Sequence, residues 1–451
     1  MIIMKFGGTS VGDGAAMVRV CEIVGSRRGR KPVVVVSAMA GVTDRLLDAA
    51  RLAGEGDLRS ALGVVHELRG RHETAIAEAV PDAKLRAQAE EVVATHFAGL
   101  DLMLEALALL RETGPKAEDA VVSHGELWSA EILARALEAR GQPGVWVDAR
   151  KVIITDNTFG RALPERAVVA ERAQAHYTAA VGKGKIPVTQ GYVGATARGT
   201  PTTLGRGGSD FTAALLGAAL RVDEVEIWTD VDGLMTADPR VVPAARPLPE
   251  ASYDEAAELA FFGAKVLHPA TILPLVELGV PVWIKNSQRP EANGTRIVAQ
   301  SPRSEGTVKS IASKRGVTIV NLRAPRMLGA HGFLKAMFDI FERHGTAVDV
   351  VTTSEVSVSV SLENGPTEPG LLTDLGTLGD VTVTPDRAIV CVVGEGLRET
   401  PGIPARIFRA IASVPVEMIS QGASKINLTF VVQDGHAVEA VRRLHEEFFP
   451  R

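Results

Sequence analysis

IIMKFGGTSVG, residues 2–12, is a short apolar run that stops at a pair of glycines, the pattern of a buried strand feeding a tight, phosphate-sized turn. Helical spacing follows from Met17 to Ser26. Then comes Val33-Val34-Val35-Val36-Ser37, a continuous β-branched run of the kind found in strands covered on both faces of a parallel sheet. From about Asp57 to Thr113 the chain is rich in Ala, Leu and Glu and predicts a helical excursion. Alternation then resumes. AVVSHGE (120–126) reads as a strand and LWSAEILARALEARG (127–141) as a helix. VWVDA and IPVTQGYVG read as strands, DFTAALLGAALR as a helix, and VEIWTDVDG and VPVWIKN as strands. Short apolar strands alternating with helices predict a layered α/β domain with a mostly parallel sheet and ligands at the carboxyl ends of its strands.

At 451 residues the chain needs two or three cores. Residues 1–286 form the first predicted domain, and the polar, Pro- and Gly-punctuated stretch 287–306 reads as a linker. Beyond it the units shrink. VTIVNLRA, HGFLKAMFDIFERHG, VDVVTTS, VSVSVSL, EPGLLTDLGTL and DVTVTPD run β-α-β-β-α-β, the ferredoxin-like order. A second round (AIVCVVG, PGIPARIFRAIAS, VEMISQG, INLTFVVQ, AVEAVRRLHEEFF) is one strand short, and Val308–Ser313 is the natural donor. The first small unit, 315–384, is therefore expected to be inserted within a second made of 307–314 and 385–451. The repeat of GFLKAMFDIF against GIPARIFRAI points to duplication.

A net charge of -5 with interspersed signs gives no reason to expect nucleic acid or an anionic membrane as partner. Cys21 and Cys391 cannot build a disulfide framework and read as buried small hydrophobes. The N-terminus lacks a secretory pattern, so a cytoplasmic location is expected. There is no Walker sequence, and GDGAAM at Gly12 is an incomplete dinucleotide fingerprint. His124 and His268 are isolated and read as structural.

Three glycine-bearing strand ends carry the chemistry. KFGGTSVG combines Gly7 and Gly8, which allow close backbone approach, with Lys5 as a mobile charge and Thr9 and Ser10 as donors. LGRGGSDF offers a helix start, capped by Ser209 and Asp210, with Arg206 just ahead, a planar fork suited to carboxylate or phosphate. IWTDVDGLMTADPR clusters Thr229, Asp230, Asp232 and Asp238 with Arg240. Glycines, a lysine, an arginine and acids at the strand ends of one sheet imply phosphoryl transfer, which needs positioning and charge neutralisation more than a nucleophilic side chain.

With VSAMAGVTD, VSHGE and FGAKVLHP added to these three, the chain resembles the aspartate kinases of the amino-acid kinase superfamily over essentially its whole length, most closely the monofunctional, lysine-sensitive class. The resemblance implies a three-layer αβα, carbamate kinase-like domain followed by two ferredoxin-like ACT domains. It implies ATP and Mg²⁺ as cofactors, L-aspartate as substrate and an ACT-mediated homodimer or dimer of dimers. Lys5 and Asp210 become catalytic, with Thr43, Glu126, Arg206 and Ser209 on the substrate. Gly7, Gly8, Ser10, Ser37, Thr229, Asp230, Met235, Arg240 and Lys265 fall at nucleotide positions. Met327, Leu328, Phe333, Leu334, Val348, Asp349, Thr353, Ser354 and Glu355 would line an effector site for lysine, with threonine as the alternative. Gly329, Ala330 and Ala347 stand where lysine-sensitive relatives often carry polar residues. Two other functions stay in play: a kinase for glutamate or N-acetylglutamate, and an inactive kinase fold that binds amino acids.

Overall fold

A computed structural model describes residues 1–262, 269–301, 308–327, 331–363, 365, 368 and 370–450. The chain divides into two compact units. One holds 1–234, 249–253 and 266–300; the other holds 235–248, 254–265 and 301–451.

The first unit is built on an eight-stranded sheet in the order Gly144–Trp146, Ile186–Gln190, Pro32–Val36, Ile2–Phe6, Glu224–Thr229, Val282–Asn286, Thr295–Val298 and Glu250–Ser252. The first six strands are mutually parallel. The opening strand is central, and its register aligns Lys5 with Val35 on one side and Ile227 on the other. Its residues alternate between two helical layers. Ile2, Met4 and Phe6 join Val34 and Val36 in a core with Met17, Val20, Leu46, Ile76, Phe97 and Trp128. On the other face lies the helix Gly208–Leu220, so close that a Cβ on Gly217 would meet Val225 at 2.8 Å. The unit is thus a three-layer α/β/α sandwich.

The helical excursion is two long helices, Leu58–Ala79 and Ala83–Leu110. Two readings are corrected. AVVSHGE is not a strand but the interior of one helix, Pro115–Glu138. Burial on nearly every side of it, from Val121 to Leu137, hid the helical period behind a run that looked like a core strand. The stretch taken as a linker carries the strand Thr295–Val298, which pairs antiparallel with Val282–Ile284 and parallel with Glu250–Ser252.

The second unit has a six-stranded, wholly antiparallel sheet ordered Val351–Thr353, Ser357–Leu362, Ser310–Arg323, Asp380–Val393, Asn427–Gln433 and Met418–Gln421. The strands read separately as Val308–Ser313 and VTIVNLRA, and as DVTVTPD and AIVCVVG, are each one 14-residue strand, Ser310–Arg323 and Asp380–Val393. Gly316 and Asp386, with φ of 72° and 57°, make a local irregularity instead of a reversal. The first half of Ser310–Arg323 pairs with the second half of Asp380–Val393, beside Asn427–Gln433; the remaining halves pair beside Ser357–Leu362. This gives two ferredoxin-like strand sets in one sheet. Each set's first helix, Phe333–Arg343 and Ile403–Ala410, begins after a glycine at φ 84° (Gly332, Gly402), so the repeat extends to the cap.

The division differs from the sequence boundary at 286 for a physical reason. Ala237 and Val242 pack in the core of Ile311, Val390, Phe430 and Leu444. The Thr236 hydroxyl lies 3.0 Å from His445, and buried Glu255 pairs with buried Lys309 at 2.9 Å and accepts the Glu395 amide. Cys21 and Cys391 are free and buried.

Candidate active site

The carboxyl ends of the central strands of the first unit open into a cleft of about 520 Å³. Lys5, Gly8, Ser37, Thr43, Glu126, Arg206, Ser209 and Asp210 all line it, joined by Asp44, Gly160, Tyr192 and Gly205. Residues spread over 206 positions of sequence thus meet because three strand-to-loop junctions share one edge of the sheet.

Lys5, next to last in its strand, reaches sideways to Asp210, with Nζ 2.6 Å from Oδ1 and both side chains largely out of water. The turn behind it is tied down: the Gly7 amide donates to the Trp228 carbonyl at 3.0 Å, and the Ala40 amide to the Gly8 carbonyl at 3.1 Å. A Cβ on Gly8 would stand 2.9 Å from the Ala38 carbonyl oxygen, so glycine is required where the two loops touch.

Ser209 and Asp210 do not cap their helix. Its N-cap is Gly207, left-handed at φ 71°, following Gly205 at φ 76°, and the first turn makes no side-chain cap bond. Free of that task, Asp210 turns to Lys5, and the Ser209 and Asp210 amides remain available to an anion beside Arg206, the Gly208 amide being used on the Gly205 carbonyl at 3.0 Å.

Glu126 projects from the long helix Pro115–Glu138 and is buried, with its Oε2 unpartnered. Burial pushes its carboxyl up to about 8; the Ala38 amide only partly offsets this. A fully desolvated acid at the floor of an open cleft is a seat for a cation.

Tyr192 is the residue that sequence reasoning missed. It sits at φ 66°, its amide donates to the Thr212 hydroxyl at 3.0 Å, and burial raises its phenol. A Cβ on neighbouring Gly208 would meet its ring at 2.5 Å. The only signal was a glycine-aromatic pair directly after a strand.

Other expected positions lie elsewhere. Ser10 is buried with its hydroxyl 2.7 Å from that of Ser287, and it does not line the cleft. Thr229 ends the strand next to that of Lys5, with Asp230 exposed after it and the two side chains 3.2 Å apart. Met235 and Arg240 belong to the second unit, where Arg240 pairs with Asp238 at 2.7 Å. Lys265, His268 and Leu328 lie outside the described residues. His124 faces the Ala120 and Val121 carbonyls of its own helix and stays below its usual pKa through burial, as a structural histidine does.

Of the effector candidates, Met327, Phe333 and Val348 pack against the core of the first ferredoxin-like set, while Leu334 is exposed. Thr353 and Glu355 are exposed, and Ser354 bonds Ser357 at 2.8 Å. Asp349 is ion-paired with Lys314 at 3.0 Å.

Residues 1–286 match the amino acid kinase family and 390–448 an ACT domain. The chain is 39% identical to the lysine-sensitive aspartokinase 3 of Escherichia coli (strain K12) over 100% of its own length and 99% of the relative's. It is 36% identical to the chloroplastic aspartokinase 3 of Arabidopsis thaliana, covering 99% of this chain and 81% of that one. Among solved structures, E. coli aspartokinase III in complex with aspartate and ADP (R-state) superposes with a TM-score of 0.83 at 37% identity and full coverage of both chains. The same enzyme in complex with lysine and aspartate (T-state) gives 0.85 at 38%, covering 100% of this chain and 99% of that one. With both of its parts matched and its whole length accounted for, the chain belongs to the aspartokinases of the amino acid kinase family.

Proposed function

We infer that the protein is an aspartate kinase, transferring the γ-phosphoryl group of ATP to the β-carboxylate of L-aspartate. The products are 4-phospho-L-aspartate, the first intermediate towards lysine, threonine and methionine, and ADP. The observation that carries this reading is the cleft that assembles the Lys5–Asp210 pair, Arg206 and a buried, unpartnered Glu126 within one set of walls. A zwitterionic dicarboxylate matches that set. Arg206 and Ser209 take the α-carboxylate, Glu126 takes the ammonium, and Thr43 steers the β-carboxylate.

A β-carboxylate oxygen attacks the γ-phosphorus, the bridging P–O bond to the β-phosphate breaks, and its electron pair leaves on ADP. Lys5 holds the equatorial oxygens of the transferring group, where charge develops in the transition state. Asp210 fixes the ammonium of Lys5 in position. The amide of Gly8 and the hydroxyl of Ser37 approach the terminal phosphates, Gly7 shapes the turn that presents them, and Thr229 and Asp230 approach the rest of the nucleotide. Ser10 acts from behind the turn by holding it to Ser287. Tyr192 closes the substrate side.

Among the described residues no group of three or more His, Cys, Asp or Glu could hold a metal, so the donor set suits a Mg²⁺ carried by phosphate oxygens and water. When bound, it neutralises phosphate charge.

The two ferredoxin-like sets act as ACT domains, 315–384 inserted within 307–314 plus 385–451, after a catalytic domain of 1–286. They mediate a homodimer or dimer of dimers in the cytoplasm. Lysine, with threonine as the alternative, is the proposed effector, bound by Met327, Phe333, Leu334, Val348, Asp349, Thr353 and Ser354. The lysine sensitivity of the E. coli relative supports this. The function is tested by incubation with MgATP, aspartate and hydroxylamine: an aspartyl hydroxamate is expected, and its absence from folded protein overturns the reading.

A further inference from the structure

The helix Ala83–Leu110 presents an outer face that none of the described residues covers. Its inner side is core: Ala89, Val93, Phe97, Leu100, Leu104 and Leu107 are buried. Its outer ridge runs at four-residue spacing through Glu90, Ala94, Ala98, Leu102, Ala106 and Leu110, every one exposed. Leu102, Leu109 and Leu110 leave 66%, 85% and 71% of their surfaces in water, and Met103 a further 38%. Thr95 joins the ridge as a methyl group, since its hydroxyl donates to the Glu91 carbonyl at 2.9 Å. The helix is long and apolar enough to cross a membrane, but its inner face makes it a wall of the first unit.

We propose that this ridge is a contact between two copies of the chain, packed antiparallel with Leu102 of each at the two-fold axis. Two features of the ridge select a second copy. The first is size. The early half is small (Ala94, Thr95, Ala98) and the late half carries Leu109 and Leu110, so an antiparallel pair about Leu102 sets each copy's Leu110 over the other's Ala94 and its Leu109 over the other's Thr95, with Leu102 meeting Leu102. A parallel pair would stack leucine on leucine. The second is charge. Glu90 and Glu91 stand at the start of the ridge and Arg111 just past its end, and antiparallel pairing about Leu102 brings each copy's Arg111 to the other's two glutamates. That acidic start disfavours an anionic lipid surface.

The patch amounts to roughly 500 Å², the size at which apolar surface on a soluble protein marks a contact. Two patches bury about 1,000 Å², the lower limit for a specific interface, so association is concentration-dependent. This contact lies in the kinase unit and is additional to any association through the ACT-like sheet.

The test is light scattering of the full-length protein over a concentration series, with Leu102→Glu and Leu102→Cys variants. Wild type is expected to rise in mass with concentration. Leu102→Glu should stop at half the final wild-type mass with unchanged hydroxamate activity, which also reports that it is folded. Leu102→Cys should form a disulfide-linked pair under mild oxidation. Ala94→Cys, whose counterpart across the axis is Leu110, should not, and the native Cys21 and Cys391 are buried. Equal masses for wild type and Leu102→Glu, no Leu102→Cys pair, or Leu102-dependent flotation on phosphatidylcholine–phosphatidylserine vesicles would each overturn the proposal.

Discussion

With Glu126 as the proposed seat of the substrate ammonium, aspartate binding should be a proton-coupled event. With its carboxyl held near 8 by burial, only about a tenth of the free enzyme carries the anion at pH 7, and about a hundredth at pH 6. An ammonium group needs that anion, so seating aspartate at pH 7 must expel nearly one proton, at a cost of about 1.4 kcal/mol in apparent affinity. Free aspartate keeps its own charges over this range. Hence kcat/KM for aspartate, which reports the free enzyme, should rise nearly tenfold from pH 6 to pH 7 and level off above pH 8. At saturating aspartate kcat should change far less. Calorimetric titration with aspartate at pH 7 in buffers of different ionisation enthalpy should reveal release of close to one proton, and Glu126→Gln should abolish both the release and the pH slope. A flat kcat/KM from pH 6 to 8.5, with heats independent of buffer, would refute the reasoning and turn attention to Asp44 as the ammonium's partner.

The same carboxyl predicts a stability effect. An acid raised on folding binds more protons folded than unfolded, so its contribution to stability declines as pH rises from about 4.5 to about 8; Glu126→Gln should therefore raise the melting temperature of the ligand-free enzyme at pH 8 while ending turnover. Lys5→Ala should lower kcat by several orders of magnitude, since the charge it supplies is used in the transition state, and a change under tenfold in a hydroxamate assay would contradict its role. Arg206→Ala should raise KM for aspartate at least a hundredfold while leaving KM for ATP near wild type; a parallel rise in both would argue that Arg206 serves the nucleotide. Gly191→Ala would drive a methyl to within 2.6–2.8 Å of Ser209, costing about 1–3 kcal/mol in denaturant unfolding and weakening aspartate more than ATP.

The legible part of the site was local. Lys5 with Gly7 and Gly8, and Arg206 with Gly207, Gly208, Ser209 and Asp210, are each a contiguous run whose chemistry needs no partner to be noticed. Glu126 became visible only through family resemblance, because its own helix was misread: Val121 and Val122 imitate a core strand once every side of the helix is buried. Pro115 at its first turn was the start signal that could have corrected this. Tyr192 had no motif around it, and its role follows from a left-handed φ that only coordinates display. The partition of the chain was also hidden, since Thr236 meets His445 across 209 residues and Glu255 meets Lys309 across 54. The continuity of Ser310–Arg323 and Asp380–Val393 was hidden as well, because the bulge at Gly316 and Asp386 interrupts the apolar pattern of each strand.

The charge state of the cleft also separates aspartate from its competitors among carboxylate kinases. In the empty site Lys5 and Asp210 balance each other and Glu126 is predominantly protonated, so Arg206 meets a substrate carboxylate with little competing charge from the floor. Aspartate and glutamate both bring an ammonium and should both release a proton on binding; they differ by one methylene, worth about 1–3 kcal/mol in a fitted pocket. N-acetylglutamate brings a neutral amide, which leaves Glu126 its proton and asks a buried carboxyl to hydrogen-bond an acetamide. Such a substrate should bind with no proton release at pH 7, and its affinity should fall instead of rise as pH passes 8. Measuring proton release for the three acids therefore identifies the α-substituent the floor was built for, independently of which acid turns over fastest.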